Sequence, residues 1–141
     1  MINRLIVKQR LAMINDYCKE LDQLKELPKE VFLEKVNNAA AESFLRRSLQ
    51  ATFDIGRYIL AKTGQIELAS EYKSIASGLV KIEAVSAALG ETLLKMAGYR
   101  NRLVHLNHMV EAEELYYIVH HNTSDLTEFV RQKNKFIDQK A

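Results

Sequence analysis

The chain has one cysteine, one proline, no tryptophan and only five glycines in 141 residues. A lone cysteine excludes an intrachain disulfide and a thiolate zinc cluster. Cys18 sits in a helical pattern and reads as a small packing residue. So few prolines and glycines leave little room for the tight turns of a many-stranded sandwich, and long helices fit better. No segment approaches the ~18–20 consecutive apolar residues of a membrane span. The apolar residues near the N-terminus are isolated among Arg4, Lys8 and Arg10, with no uninterrupted run for a secretory signal. The expectation is a cytoplasmic protein with no membrane association. Charge of one sign is also scarce, since 20 basic side chains face 18 acidic ones for a net +2. A broad electrostatic surface for nucleic acid usually carries a larger excess. A nucleic acid, if bound, would be gripped locally or by a surface shared between two chains.

What is present is ordinary globular composition, 48% hydrophobic and 27% charged, arranged with helical periodicity throughout. In residues 2–25, Ile6, Met13, Tyr17, Leu21 and Leu24 recur at helical steps. Pro28 suits the start of a short helix running to about Val36, with a hinge at Asn37-Asn38. Residues 38–62 form the longest clear helix, with Leu45, Leu49, Phe53, Gly56 and Leu60 on one stripe, and Thr63-Gly64 ends it. Residues 65–78 are ambiguous, Ser74, Ser77 and Gly78 reading as connector. A short helix is expected over 79–88 and a longer one over about 90–106. The last helix spans 111–139, with Leu115, Val119, Leu126, Phe129 and Ile137 as its buried stripe. Acidic residues crowd its start and basic ones its end, which complements the helix dipole. With no repeat, low-complexity run or linker, residues 1–141 read as a single helical domain. The fold class is all-α, an up-and-down antiparallel bundle of four to five helices.

One arginine is out of place in this pattern. On a wheel with Leu89 at 0°, Leu93, Met96, Ala97, Leu103 and Val104 fall within roughly 80° to either side. Arg100 lands at about 20°, in the middle of that apolar arc, whereas Arg102 lands near 220° on the polar face. Arg102 there needs no partner but water. A guanidinium cannot shed its charge by losing a proton, so one in an apolar stripe needs a carboxylate, a phosphate or a wet cleft facing it. A buried ion pair, or a side chain that snorkels to the rim, accounts for Arg100 equally well.

His105 follows five positions later, about 140° around an unbroken helix. The two side chains converge only if the helix loosens near Asn101–His105 or if each works with its copy across a two-fold interface. Alone, His105 also fits an ordinary histidine near a helix C-terminus. The chemistry that uses both is cleavage of RNA by its own 2′-hydroxyl. That reaction needs a group titrating near neutrality and a fixed positive fork against the phosphoryl oxygens. It requires no metal and no cofactor.

Arg100-Asn101-Arg102-Leu103-Val104-His105 matches the R-x4-6-H motif of the HEPN ribonucleases. The preceding Met96-Ala97-Gly98-Tyr99 resembles the M-A-G-F/Y lead-in of their HepT-like branch. Leu45-Arg46-Arg47-Ser48-Leu49-Gln50 with Asp54-Ile55 resembles that family's long helix, and Leu115-Tyr116-Tyr117-Ile118 after Val110-Glu111 resembles the start of its last one. The resemblance covers nearly the whole chain. It implies a HEPN-like bundle, a homodimer with a composite active site at the dimer cleft, and an RNA substrate. It further implies a toxin role, with a minimal nucleotidyltransferase as antitoxin. By motif position Arg100 and His105 carry catalysis and Asn101 fills the polar place beside the arginine. Asp54 and Ser43, both on the long helix, are polar supports on this reading.

One departure matters. Many relatives continue the motif as H-x-Y, and that tyrosine receives adenylyl groups from the antitoxin. Here the position is Asn107, which has no phenolic hydroxyl. Tyr99, Tyr116 and Tyr117 are the nearest alternatives. Three other readings stay open. One is a non-catalytic HEPN-like helical dimer that binds a nucleotidyltransferase or a nucleotide. Another is a metal site from His105, His108 and Glu111, or from His120 and His121. The last is a purely structural bundle.

Overall fold

A computed structural model describes residues 2–65, 67, 71–104 and 111–139. His105, Asn107 and His108 lie outside the described residues. Six helices occur among them: α1 (Arg4–Lys25), α2 (Lys29–Phe32), α3 (Lys35–Lys62), α4 (Tyr72–Lys81), α5 (Ala87–Val104) and α6 (Ala112–Gln139). Since α2 is a single turn, five helices build the bundle. Side chains at the helix ends fix their directions. Arg4 and Lys8, opening α1, reach Asp138 near the end of α6 at 3.2 and 3.0 Å. At the other end His120 Nε2 meets the Lys25 carbonyl at 3.0 Å. α1 and α6 are therefore antiparallel. The Asn3 N–H donates to the Tyr58 hydroxyl at 2.9 Å, which sets α3 antiparallel to α1 as well. No helix among the described residues is long and apolar enough to cross a membrane.

α1 begins at Asn3, whose Oδ1 accepts from the Ile6 N–H at 3.2 Å as an N-cap. It buries Val7, Leu11, Ile14, Cys18 and Leu21, one position round from the expected stripe. Only Leu21 is common to both, and Met13 is 47% exposed. The two stripes together form an apolar arc about 160° wide on a 3.6-residue wheel, broader than the ~100° a core-facing helix needs. Packing against α3 and α6 takes one half of it.

The α3 stripe of Leu45, Leu49, Phe53, Gly56 and Leu60 is buried as expected, and Gly64 at φ +83° follows its end. The helix starts earlier than expected. The break falls at Leu33-Glu34 rather than Asn37-Asn38, because the Asn37 side chain donates back to the Val31 carbonyl at 3.0 Å from inside α3.

The region read as connector contains α4. Ser74, Ser77 and Gly78 all lie within it, and the Ser77 hydroxyl is satisfied by the Lys73 carbonyl at 3.1 Å. No helix runs through 79–88. α4 closes at Ile82 with Glu83 in the left-handed region at φ 60°. The Glu83 and Ala84 N–H groups donate to Val80 and Leu79, the pattern of a Schellman cap. Ser86 then caps α5 by accepting from the Leu89 N–H at 3.1 Å. α4 lies tight against α5, where a Cβ on Gly90 would come within 2.3 Å of the Val80 side chain.

Behind that turn Lys133 of α6 is wholly buried, its Nζ donating to the Ala84 carbonyl and lying 4.9 Å from the Phe136 ring centre. Burial pushes its ammonium down to about 7. The unfolded chain, with an ordinary lysine near ~10.4, then binds more protons than the folded one between about pH 7 and 10. Stability should rise with pH across that window, and Lys133→Met should flatten the rise. Urea midpoints measured at several pH values check this; an unchanged slope in the variant would assign the effect elsewhere.

Candidate active site

Leu89, Leu93, Met96 and Ala97 are buried along α5, and Arg100 continues their stripe, half-buried, where α5 meets α3 and α4. Its partner is Gln50 of α3. The Arg100 Nε and Nη2 groups both donate to the Gln50 Oε1, at 3.0 and 2.8 Å. Nη1 donates to the Asn101 Oδ1 at 3.3 Å. The guanidinium carbon lies 4.2 Å from the ring centre of Tyr72, the first residue of α4, a cation–π distance. Phe53 of α3 meets that ring edge-on at 5.1 Å and fixes its position.

Gln50 is itself held. Its Nε2 donates to the Asp54 Oδ1, one turn along α3, at 2.9 Å. Asp54 is also 3.8 Å from the Arg57 guanidinium, and Arg57 approaches the same Tyr72 ring at 5.5 Å. Two guanidinium groups thus approach one aromatic ring, with one carboxylate set beside the second.

The acceptors that meet Arg100 are neutral amides, and no carboxylate among the described residues forms an ion pair with it. Three hydrogen bonds leave two of the five guanidinium N–H groups for another acceptor. A carboxylate would have neutralised the charge; an amide orients it and leaves it available to an oxyanion.

Of the residues expected from sequence, Arg100, Asn101 and Asp54 come together here. Ser43 lies on α3 two turns before Gln50, and no hydrogen bond joins it to this cluster among the described residues. Gln50, Arg57 and Tyr72 were not singled out. Gln50 could have been found from its i, i+4 spacing to Asp54 on a polar face. Nothing local pointed to Tyr72.

Arg102 departs from the expectation of a side chain that meets only water. It is on the polar face, yet its two Nη groups clasp the Glu114 carboxylate of α6 at 2.6 and 2.5 Å. This pair joins the last turn of α5 to the first turn of α6, the two ends from which the segment containing His105 departs and returns. His120 faces main-chain carbonyls with both ring nitrogens, Tyr116 at 2.8 Å and Lys25 at 3.0 Å, and its ring packs on Phe32. His121 stacks on Tyr117 instead. The two adjacent histidines therefore serve separate structural contacts.

A profile described as Ribonuclease HepT-like matches residues 14–132. The chain belongs to this family. It is 23% identical over 137 residues to the tRNA nuclease HepT of Aphanizomenon flos-aquae (strain 2012/KM1/D3), a match covering 96% of this chain and 92% of that protein. Its fold superposes on the tri-AMPylated Shewanella oneidensis HEPN toxin solved in complex with the MNT antitoxin. There the TM-score is 0.79 at 21% identity, covering 96% of this chain and 99% of that one. It also superposes on YutE of Bacillus subtilis, a cytosolic protein of unknown function. That match has a TM-score of 0.82 at 16% identity, over 99% and 93% of the two chains. The family fixes the class of fold, and the HepT-like bundle is what brings Gln50, Tyr72 and Arg100 to one point.

Gln50 bears on stability as well as orientation. Removing it leaves a half-buried guanidinium short of two hydrogen bonds, which should cost about 1–3 kcal/mol. Urea unfolding of Gln50→Ala checks this. A loss well under that range would show that water replaces the amide at no cost.

Proposed function

We propose that this HepT-like protein is the toxin of a toxin–antitoxin pair, a metal-independent endoribonuclease that cuts RNA with Arg100 and His105 at a homodimer cleft. The observation that carries this reading is the Arg100 guanidinium, fixed by neutral amides in an apolar stripe and left without a carboxylate among the described residues. The name of the cyanobacterial relative, a tRNA nuclease, supports RNA as the substrate class. The structural neighbour held by an MNT antitoxin supports a minimal nucleotidyltransferase as partner.

In the proposed reaction the RNA 2′-hydroxyl attacks the adjacent phosphorus. His105 takes its proton, the 2′-O–P bond forms and the P–O5′ bond breaks. The leaving 5′-oxygen gains a proton and a 2′,3′-cyclic phosphate remains. Arg100 meets the non-bridging oxygens as charge builds on them, the role of a preorganised electrostatic donor. Gln50 and Asn101 hold the fork in that aim, and Asp54 holds Gln50. A homodimer would set each Arg100 against a partner surface, which answers the ~140° that separates residues five apart on an ideal helix.

Purified wild-type protein, free of its partner, should cleave RNA in the presence of EDTA. Arg100→Ala and His105→Ala should each lose on the order of 10²-fold or more in rate. Gln50→Glu should also lose activity while remaining folded, because a carboxylate there occupies the fork that phosphate needs. Arg102→Ala should cost much less than Arg100→Ala, since it releases the clasp to Glu114 and leaves the hydrogen bonds that aim Arg100 in place. Absence of cleavage by the wild type, or equal losses in the Arg102 and Arg100 variants, would sink the reading.

Control by the antitoxin follows from side-chain chemistry. Asn107 has no hydroxyl to adenylylate, so occlusion of the cleft is the proposed mode of neutralisation. Of the neighbouring tyrosines, Tyr117 is 55% exposed, whereas Tyr99 is half-buried and its phenol is raised above the ordinary range, first by burial and then by Tyr117 and Glu114. Mass spectrometry after co-expression with the nucleotidyltransferase should find no adenylyl group on residues 105–110. A modified Asn107 would overturn this argument.

A further inference from the structure

The geometry points to a second part of the RNA site, a groove between α1 and α3 that holds the single-stranded RNA flanking the phosphate at Arg100. The inference rests on the ribonuclease reading for the identity of its ligand. Two adjoining hollows of about 400 and 280 Å³ run between these helices and share Met13, Ala51 and Asp54. Arg10 and Arg57 line the larger, Arg46 and Arg47 the smaller. Gln50 lines the smaller hollow too, and the same side chain holds Arg100. The groove therefore leads to the proposed reaction centre through a shared residue.

Charge favours a polyanion here. Arg46 pairs with Glu42 at 3.1 Å and Arg57 with Asp54 at 3.8 Å, while Arg10 and Arg47 form no ion pair among the described residues. Four basic and two acidic side chains leave an excess of two. The lining itself carries four arginines against Asp54 alone, and Glu42 enters only as the partner of Arg46. Arg47 and Arg57 stand ten residues apart, about 15 Å along the helix axis, which suits a row of phosphates better than one anion. Between them the unburied half of the α1 arc supplies Met13, 47% exposed, and the half-buried Tyr17 ring. Cationic edges with an apolar, aromatic floor suit a strand whose bases are free to stack, not a duplex that hides them.

The test uses a labelled 2′-O-methyl RNA 20-mer, which lacks the attacking hydroxyl and so reports binding without cleavage. Fluorescence anisotropy against salt should show wild-type binding with a negative dependence of log affinity on log salt. Arg10→Ala/Arg47→Ala should weaken binding by about 10-fold or more near 0.1 M salt and shrink the slope by about 1.4, the loss of two phosphate contacts on a single strand. Lys81→Ala/Lys135→Ala, an equal charge change at two exposed positions elsewhere, should do much less. Equal effects of the two pairs would overturn the groove, as would no binding by the wild type. So would a groove variant that changes the sedimenting species and leaves RNA affinity intact. Binding without cleavage of unmodified RNA would leave the groove standing and remove the ribonuclease reading; cleavage with an inert groove would do the reverse.

Discussion

The charge of Arg100 cannot be titrated away, so the bundle must either solvate it or find it partners, and it does so with an amide and an aromatic face. That requirement joins three helices at one point. α3 supplies Gln50, α4 supplies Tyr72 and α5 supplies the arginine. Phe53 against Tyr72 and Asp54 against Gln50 are the next layer, and each fixes the orientation of the group in front of it. A carboxylate in the Gln50 position would satisfy the guanidinium more strongly, yet would also take the place an anionic ligand needs. Neutral acceptors trade some stability for a charge that stays available.

The remaining long-range contacts keep that junction in register. α4 can carry Tyr72 to Arg100 only because it lies tight against α5 at Gly90, and because the turn after it is locked by its cap and by Lys133 beneath the Ala84 carbonyl. At the opposite end of α5 the Arg102–Glu114 clasp sets where α6 begins. The polar face of Arg102 thus meets α6, whereas the apolar face of Arg100 meets α3 and α4. Two arginines two residues apart meet different helices because a helix turns them about 200° from each other.

Most of the all-α character could be read from periodicity and from the scarcity of glycine and proline, and the α3 and α6 stripes fall where the spacing placed them. α4 could not. Its serines and Gly78 carry connector propensities, and tertiary burial of Ile75, Ala76 and Leu79 outweighs them. α1 was read as a helix but turned toward the wrong half of its arc, since a 160° apolar band satisfies two stripes equally and only the neighbours choose between them. The half left out is what lines the groove beside Arg10 and Arg47.

The sequence alone determined that Arg100 sits in an apolar arc, that His105 follows it at the R-x4-H spacing, and that the chain resembles the HepT-like family it belongs to. These are properties of one helix and of local order, set by a 3.6-residue repeat. Only the tertiary structure decided what faces Arg100. Gln50 lies fifty residues before it and Tyr72 twenty-eight, on different helices, and no periodicity within one helix encodes which residue of another will stand opposite. That choice comes from how the helices pack, and packing depends on side-chain volume and close approach across the whole bundle.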